Sequence, residues 1–315
     1  MSQDSTSGIA RSTGLAAARD FPVMWRQPAW VRQLTRRKAC QYDFFMFERI
    51  TVRIHKRILG LVEIQGLLLS AKPFVGEIER FRKLPSVRAI VLRVDSPGGA
   101  VVPSQEICEA IRRAREYKPV IASMGSVAAS GGYYVASAAE KIYANPGTLT
   151  GSIGVVMHLR NLQGLLSKFG VSGAVIKSGQ FKDAGSPYRK MTPREEQFLQ
   201  GVSDDIYDQF VDAVCRGRGL KRELVEQLAD GKVYTGRKAK ELGLVDELGG
   251  LETAIQETGK RVGIPEEPRV VAFKRRRHML ADHLLQSAFR QFLSAWEVEA
   301  GSRGGMMLVC PSLGF

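Results

Sequence analysis

Ser130 is the residue in this sequence that is best placed for nucleophilic chemistry. It follows the apolar run 119–122, which predicts a buried strand, and Gly131 and Gly132 lead into an apolar segment that predicts a helix. A side chain at such a junction lies at a helix N-terminus, where unpaired N–H groups and the helix dipole favour a developing anion. The Ala-x-Ser-x-Gly pattern approximates a nucleophile elbow. Tight packing of a helix on a sheet is the alternative explanation for these small residues.

Two further segments contain residues that could assist such a serine. Asp95-Ser-Pro-Gly-Gly ends a predicted strand, and paired glycines there can turn a backbone N–H toward an oxyanion, although an ordinary βα turn would look the same. Downstream, Lys182 lies in a loop rich in Gly, Ser and Pro. A lysine is usually a solvated charge, but one held beside a serine in apolar surroundings would lose its proton near neutral pH and become a general base.

Histidine is the alternative base. The four histidines, His55, His158, His278 and His283, neighbour no acidic residue in a recognisable motif. A Ser-His-Asp triad is therefore less favoured than a serine and lysine pair, but it stays open at this point.

Strand and helix patterns alternate around these segments. Strands are predicted at 58–65, 88–94, 119–122, 141–144, 153–157 and 171–176, and helices at 73–84, 103–117, 133–139 and 161–169. Thr192 and Glu195 form a capping box that begins a long helix to about residue 216, and shorter helices follow at 221–229, 236–242 and 250–261. This rhythm predicts an α/β fold with a mostly parallel sheet, flanking helices and a helical C-terminal part.

Charge and composition divide the chain into four regions. We expect a disordered N-terminus (1–20), a basic aromatic segment (21–57), one catalytic domain (58–270) and an amphipathic C-terminal helix with a tail (271–315). The net charge is +14, and the segment 21–57 contains nine Lys and Arg residues against two acidic ones. Cations interleaved with aromatic rings suit a membrane surface, an arm on a neighbouring subunit or, less well, nucleic acid.

Several classes of protein are disfavoured by the sequence. The four cysteines are scattered and share no ligand spacing with the histidines, so neither a metal site nor a disulfide framework is predicted. The longest candidate span, 58–69, has 12 residues and is interrupted by Glu63 and Gln65, so it is too short for a membrane helix. No signal peptide pattern is present. These features predict a cytoplasmic or peripherally membrane-associated protein.

Taken together, the segments resemble the signal peptide peptidase A family. The resemblance is carried by Asp95-Ser-Pro-Gly-Gly99, the stretch from Ser123 to Tyr134, Leu149-Thr-Gly-Ser-Ile-Gly-Val155, Lys182-Asp-Ala-Gly-Ser-Pro187 and the stretch from Asp230 to Asp246. It covers residues 58–265 in the order and spacing of the family, in its short, single-copy form. The chain departs from the family at its ends, where a basic aromatic segment replaces the usual membrane anchor.

The resemblance implies a Clp-protease/crotonase-like fold and a Ser/Lys dyad. By motif, Ser130 is the nucleophile, Lys182 the general base and Ser152 the serine that hydrogen-bonds the lysine. The backbone N–H groups of Gly98 and Gly131 would form the oxyanion hole, and no metal or organic cofactor is implied. The resemblance also implies a homo-oligomeric ring in which neighbouring subunits share the dyad.

The predicted activity is therefore that of a serine endopeptidase that degrades residual signal peptides or other short hydrophobic peptides. One alternative is an acyl-thioester enzyme on the same crotonase-like scaffold, in which Ser130 and Lys182 would have no role. Another is a catalytically inactive ring that serves as a membrane scaffold.

Overall fold

The computed structural model describes residues 57–264, 267–273 and 307–309. The predicted disordered N-terminus (1–20) lies outside the described residues, and so do the basic aromatic segment (21–57) apart from residue 57 and the amphipathic C-terminal helix with its tail (271–315) apart from residues 271–273 and 307–309. Within the described ranges, no helix combines the length and the apolar character that a membrane span requires.

The described part of the chain contains ten strands and eight helices. The strands are β1 (Ile58–Gln65), β2 (Val87–Ser96), β3 (Gly98–Ala100), β4 (Val120–Ala129), β5 (Lys141–Ala144), β6 (Leu149–Gly151), β7 (Val233–Thr235), β8 (Glu247–Leu248), β9 (Val270–Ala272) and β10 (Met307–Val309). The helices are α1 (Lys72–Lys83), α2 (Val101–Arg115), α3 (Gly131–Ser137), α4 (Gln163–Lys168), α5 (Pro193–Arg218), α6 (Arg222–Leu228), α7 (Gly236–Glu241) and α8 (Leu251–Arg261).

Eight of these strands form one mixed sheet. Its main path runs β7-β6-β4-β2-β1-β9, and β5 pairs with both β4 and β8. Every pairing in this sheet is parallel except that of β6 with the edge strand β7. The first half of the long strand β4 pairs with β5 and its second half with β6, so β4 brings the site segments together.

The core confirms the predicted α/β fold. Helix α1 buries Phe74, Ile78 and Phe81, which recur at helical spacing, and α2 buries Ile107 and Ile111 in the same way. The helices α5 to α8 form the predicted helical C-terminal part, and α5 begins directly after the predicted capping residue. Mostly parallel strands with flanking helices agree with the Clp-protease/crotonase-like architecture.

Two predicted strands are absent. Residues 153–157 contain only an isolated bridge residue, and residues 171–176 have no regular structure. The apolar side chains of the second segment led to the prediction, but Val171, Val175 and Ile176 are exposed. A β-branched run forms a strand only where a neighbouring strand supplies its hydrogen bonds and side-chain contacts. Conversely, six short strands, β3, β6, β7, β8, β9 and β10, were not predicted.

Candidate active site

Ser130 lies in a strained turn between β4 and α3. Its backbone has φ 51° and ψ −119°, a conformation that is rare for a residue with a side chain. The turn is fixed on both sides: the N–H of Ser130 donates to the Gly151 carbonyl oxygen at 2.8 Å, and the N–H of Tyr134 donates to the Ser130 carbonyl oxygen at 2.8 Å. The sharp strand-to-helix turn expected from the sequence is therefore present in the backbone.

The Ser130 hydroxyl has no hydrogen-bond partner among the described residues. The residue is fully buried, and its Oγ is one of only three such unpaired side-chain atoms within the described ranges. An unpaired buried hydroxyl costs roughly 1–3 kcal/mol, so such groups are rare unless they serve a function.

The Gly98–Gly99 turn packs directly on the first residue of α3. A Cβ built on Gly131 would lie 3.2 Å from the Gly98 Cα and 2.7 Å from the Ser104 Oγ, so a larger residue there would require Ser104 and the glycine turn to shift. Gly98 itself has φ +112°, which favours glycine. The structure thus brings the predicted oxyanion segments together beside Ser130.

The Gly98 N–H is occupied in this structure. It donates to the Ser96 Oγ at 3.1 Å, and that hydroxyl in turn donates to the Gly66 carbonyl oxygen at 2.6 Å. The Gly131 N–H belongs to the first turn of α3, whose N–H groups have no acceptor within the helix. Of the two predicted oxyanion donors, the Gly131 N–H is therefore the one that is free of a bond within its helix. The Gly98 N–H would first have to give up its hydrogen bond to the Ser96 Oγ. Sequence reasoning overlooked Ser96, although it lies inside the Asp95-Ser-Pro-Gly-Gly motif.

Ser152 follows the strand that neighbours β4. Ala129 pairs with Gly151 in parallel register, so Ser130 and Ser152 are the next residues at the same edge of the sheet. Ser152 is 4% exposed, and its positive φ of 50° is held by an N–H that donates to the Lys232 carbonyl oxygen at 2.7 Å. Ser130 and Ser152 are the two residues with a side chain that adopt positive φ in the described part of the chain.

Lys182 is not joined to Ser130 within one chain. Its side chain is exposed, and it lies in a loop of consecutive turns between α4 and α5. The Ser130 Oγ accepts no hydrogen bond from it. The structure therefore brings four of the five predicted site residues to one place, and the fifth projects from a separate surface loop.

A strand from the C-terminal region lies beside the Gly98–Gly99 turn. β10 pairs antiparallel with β3, with Met307 opposite Ala100, Leu308 opposite Gly99 and Val309 opposite Gly98. The edge of β3 next to Ser130 therefore accepts an extended peptide backbone.

The family model for Peptidase family S49 matches residues 112–264. Among the relatives, a Synechocystis sp. protein named as a protease is 49% identical over 176 residues, which are 56% of this chain and 64% of that protein. An Enterococcus faecium protein named as a signal peptide peptidase SppA is 38% identical over 188 residues, 59% of this chain and 55% of that protein.

The chain is also similar to "Serine protease SPPA, chloroplastic" of Arabidopsis thaliana, at 36% identity over 215 residues, 68% of this chain and 32% of that protein. The chain thus covers less than two thirds of the length of each of these relatives. The family match contains Ser130, Gly131, Ser152 and Lys182. Residues 112–264 of this chain are therefore similar to the peptidase domain of family S49.

Proposed function

We propose that the chain is a serine endopeptidase whose nucleophile is Ser130. The observation that carries the proposal is the fully buried, unpaired Ser130 hydroxyl, which lies in a strained turn at the N-terminus of α3. Such an arrangement costs stability, and it is typical of a nucleophile that awaits its base and its substrate. The match of residues 112–264 to the model of Peptidase family S49 supports the same reading.

In this mechanism Ser130 attacks the scissile carbonyl while neutral Lys182 removes the hydroxyl proton. The tetrahedral oxyanion would be stabilised by the Gly131 N–H, and by the Gly98 N–H once that group leaves Ser96. Protonated Lys182 then gives its proton to the leaving amine, and the acyl-enzyme is released when Lys182 activates a water molecule. Ser152, at the neighbouring strand end, would hydrogen-bond the lysine and orient it.

The peptide substrate would bind as a strand on β3, at the edge that β10 occupies in this structure, so β10 and the substrate would compete for it. The antiparallel pairing of β10 with Gly98–Ala100 supports this mode, because it places an extended backbone directly beside the oxyanion turn. Backbone pairing gives affinity with little dependence on sequence, and the small residues around Ser130 let the scissile bond approach closely.

The Ser/Lys dyad would be completed by a second copy of the chain. Lys182 projects from a loop region that carries many exposed large apolar side chains, namely Leu165, Phe169, Val171, Val175, Ile176, Tyr188 and Phe198. An exposed apolar surface of this kind usually marks a protein interface. In a closed ring with heterologous contacts, this surface can dock on a neighbour and present Lys182 to the neighbour's unpaired Ser130.

The proposed substrates are residual signal peptides or other short hydrophobic peptides. The name of the Enterococcus faecium relative supports this substrate class.

Peripheral contact with a membrane would bring such substrates to the site, and the basic aromatic segment 21–57 has suitable chemistry for that contact. Deleting residues 21–57 should then release the protein from anionic vesicles, and added salt should weaken binding of the full chain. Equal vesicle binding by the shortened chain would refute the membrane role.

Labelling with a fluorophosphonate tests the nucleophile. Only an activated serine reacts, so the full chain should be labelled and Ser130→Ala should not. Ser126→Ala is a matched control, because Ser126 lies on the same strand but is exposed to solvent. An acyl-thioester enzyme or an inactive scaffold would leave the full chain unlabelled, and that result would refute the proposal.

Mixing two inactive variants tests the shared site. When Ser130→Ala and Lys182→Ala chains are unfolded together and reassembled in equal amounts, a site retains both groups with a probability of about one quarter. Peptidase activity should recover to about a quarter of that of the unmodified ring. No recovery in verified mixed rings would place both groups in one chain instead.

A further inference from the structure

The backbone hydrogen bonds next to Lys182 define the conformation of its loop, but they do not fix the position of the loop on the domain. The Lys182 N–H donates to the Gly179 carbonyl oxygen at 3.3 Å, and the Ala184 N–H donates to the Phe181 carbonyl oxygen at 3.1 Å. These bonds connect residues within the loop. One further backbone bond, from the Leu162 N–H to the Pro187 carbonyl oxygen at 2.7 Å, joins the far end of the loop to the start of α4, and side-chain contacts supply the rest of its placement.

One arginine connects this loop to the start of α5. The Arg189 Nε donates to the Asp183 Oδ2 at 2.9 Å, and its Nη1 donates to the Glu195 Oε2 at 2.8 Å. Its Nη2 contacts both residues as well, since it bonds the Asp183 carbonyl oxygen at 3.3 Å and pairs with the Glu195 carboxylate. A single guanidinium thus ties the residue after Lys182 to the first turn of the helix.

The Glu195 end of this connection is anchored in the protein. Glu195 is 4% exposed, and its Oε2 also accepts the N–H of Thr192 at 2.9 Å in the capping box of α5. The residue before Lys182 is anchored to the same helix, because Phe181 stacks on Phe198 with ring centroids 4.8 Å apart. Both chain neighbours of Lys182 are therefore held by α5.

The connection stays ionic at neutral pH. Hydrogen bonds from Arg189 and then Lys177 hold the pKa of Asp183 well below its usual range, and the bond from Arg189 lowers the pKa of Glu195 to about 2. A lowered carboxyl pKa gives stabilisation that is present above the ordinary pKa and is lost only as the pH falls through the lowered one. These carboxylates therefore do not titrate in the range where a peptidase would be assayed.

We propose that Arg189 is a positioning residue that holds the Lys182 loop on α5 through Asp183 and Glu195. The inference deepens the proposed function, because it rests on Lys182 being the general base. Arginine is suited to the task because its planar fork bonds two carboxylates at once, whereas a lysine ammonium is a single point charge. A small misplacement of a reacting group can cost about a hundredfold in rate.

The test compares Arg189→Gln and Arg189→Lys with Arg222→Gln as a matched control. Arg222 likewise pairs with more than one carboxylate, namely Asp208, Asp212 and Glu226, but it has no bond to the Lys182 loop. Assays are run on full chains well below each melting temperature. We expect Arg189→Gln to lose about a hundredfold in kcat and in the rate of Ser130 labelling, with KM changed little. Arg189→Lys should recover less than a tenth of the lost rate, and Arg222→Gln should keep its kcat within about twofold.

Asp183→Asn provides a second variant in case Arg189→Gln does not fold, since it leaves the Arg189–Glu195 pair at the start of α5 intact. It should reproduce the loss of kcat. Normal kcat in a folded Asp183→Asn or Arg189→Gln chain would overturn the positioning role. If Lys182→Ala itself kept full labelling and turnover, the proposed function would fail first. If Lys182→Ala were inactive while both positioning variants were normal, only the present inference would fail.

Discussion

Helix α5 both holds the Lys182 loop at its start and packs on α3 near its end, and one glycine permits the second contact. A Cβ built on Gly217 would lie 2.1 Å from the Ser137 carbonyl oxygen and 2.9 Å from the Ser137 carbonyl carbon. Ser137 is the last residue of α3, the helix that begins directly after Ser130. Gly217→Ala should therefore push α5 away from the helix that carries the nucleophile.

The size of the effect follows from two opposing terms. Replacing glycine by alanine within a helix stabilises it by about 1 kcal/mol. Against this, a Cβ at 2.1 Å from a backbone oxygen must retreat by about 1 Å or more to reach an ordinary contact distance, and overpacking of this kind costs about 1–3 kcal/mol or more. Since the clash is with backbone rather than a flexible side chain, we expect the upper part of that range and a net loss of about 1–3 kcal/mol.

Gly201 on the same helix is the matched control. No atom lies within 4 Å of a Cβ built there, so Gly201→Ala should raise the free energy of unfolding by about 0.5–1 kcal/mol. The two alanine variants should then differ by about 1.5–4 kcal/mol, which corresponds to roughly 3–16 °C in melting temperature for a domain of this size.

The assay is chemical and thermal unfolding of both variants, followed by fluorophosphonate labelling of the folded chains. Gly217→Ala should be the less stable and the more slowly labelled, because the displaced helix disturbs both α3 and the Lys182 loop. Equal stability of Gly217→Ala and Gly201→Ala would show that α5 and α3 are not in the close contact described, and the reasoning would be refuted.

Three further predictions concern the site and its surroundings. Leu308→Pro removes an N–H from β10 opposite Gly99, so it should free the edge of β3 and lower KM for short peptides; an unchanged KM would argue against competition by β10. Lys182→Arg should be inactive at every pH at which the chain stays folded, because guanidinium does not lose its proton; measurable turnover would exclude Lys182 as the base. Burial raises the pKa of Cys108 to about 11, so iodoacetamide at pH 8 should modify this thiol only after unfolding, and rapid labelling of the folded chain, detected by mass spectrometry, would contradict that burial.

Local signals in the sequence predicted the fold class and the bounds of the helices to within two residues. β1 begins and ends at the predicted residues, and β5 does so as well. The capping box of Thr192 and Glu195 marked the start of α5 because both of its hydrogen bonds connect residues three apart. The prediction of a strand at 171–176 was wrong because strand formation is not decided by residues close in sequence. Whether a β-branched run becomes a strand depends on a neighbouring strand, which can lie anywhere in the chain.

The sequence by itself determined which residues could do chemistry here: a serine among small residues at a strand-to-helix junction, a glycine pair after a second strand and a lysine in a loop. Those assignments depend on residue types and short spacings. Only the tertiary structure decided that Ser130 is buried without a hydrogen-bond partner, that Ser96 occupies the Gly98 N–H, and that the Lys182 side chain is exposed. Burial and hydrogen-bond pairing are set by which distant segments meet, and the pattern within one segment does not encode that.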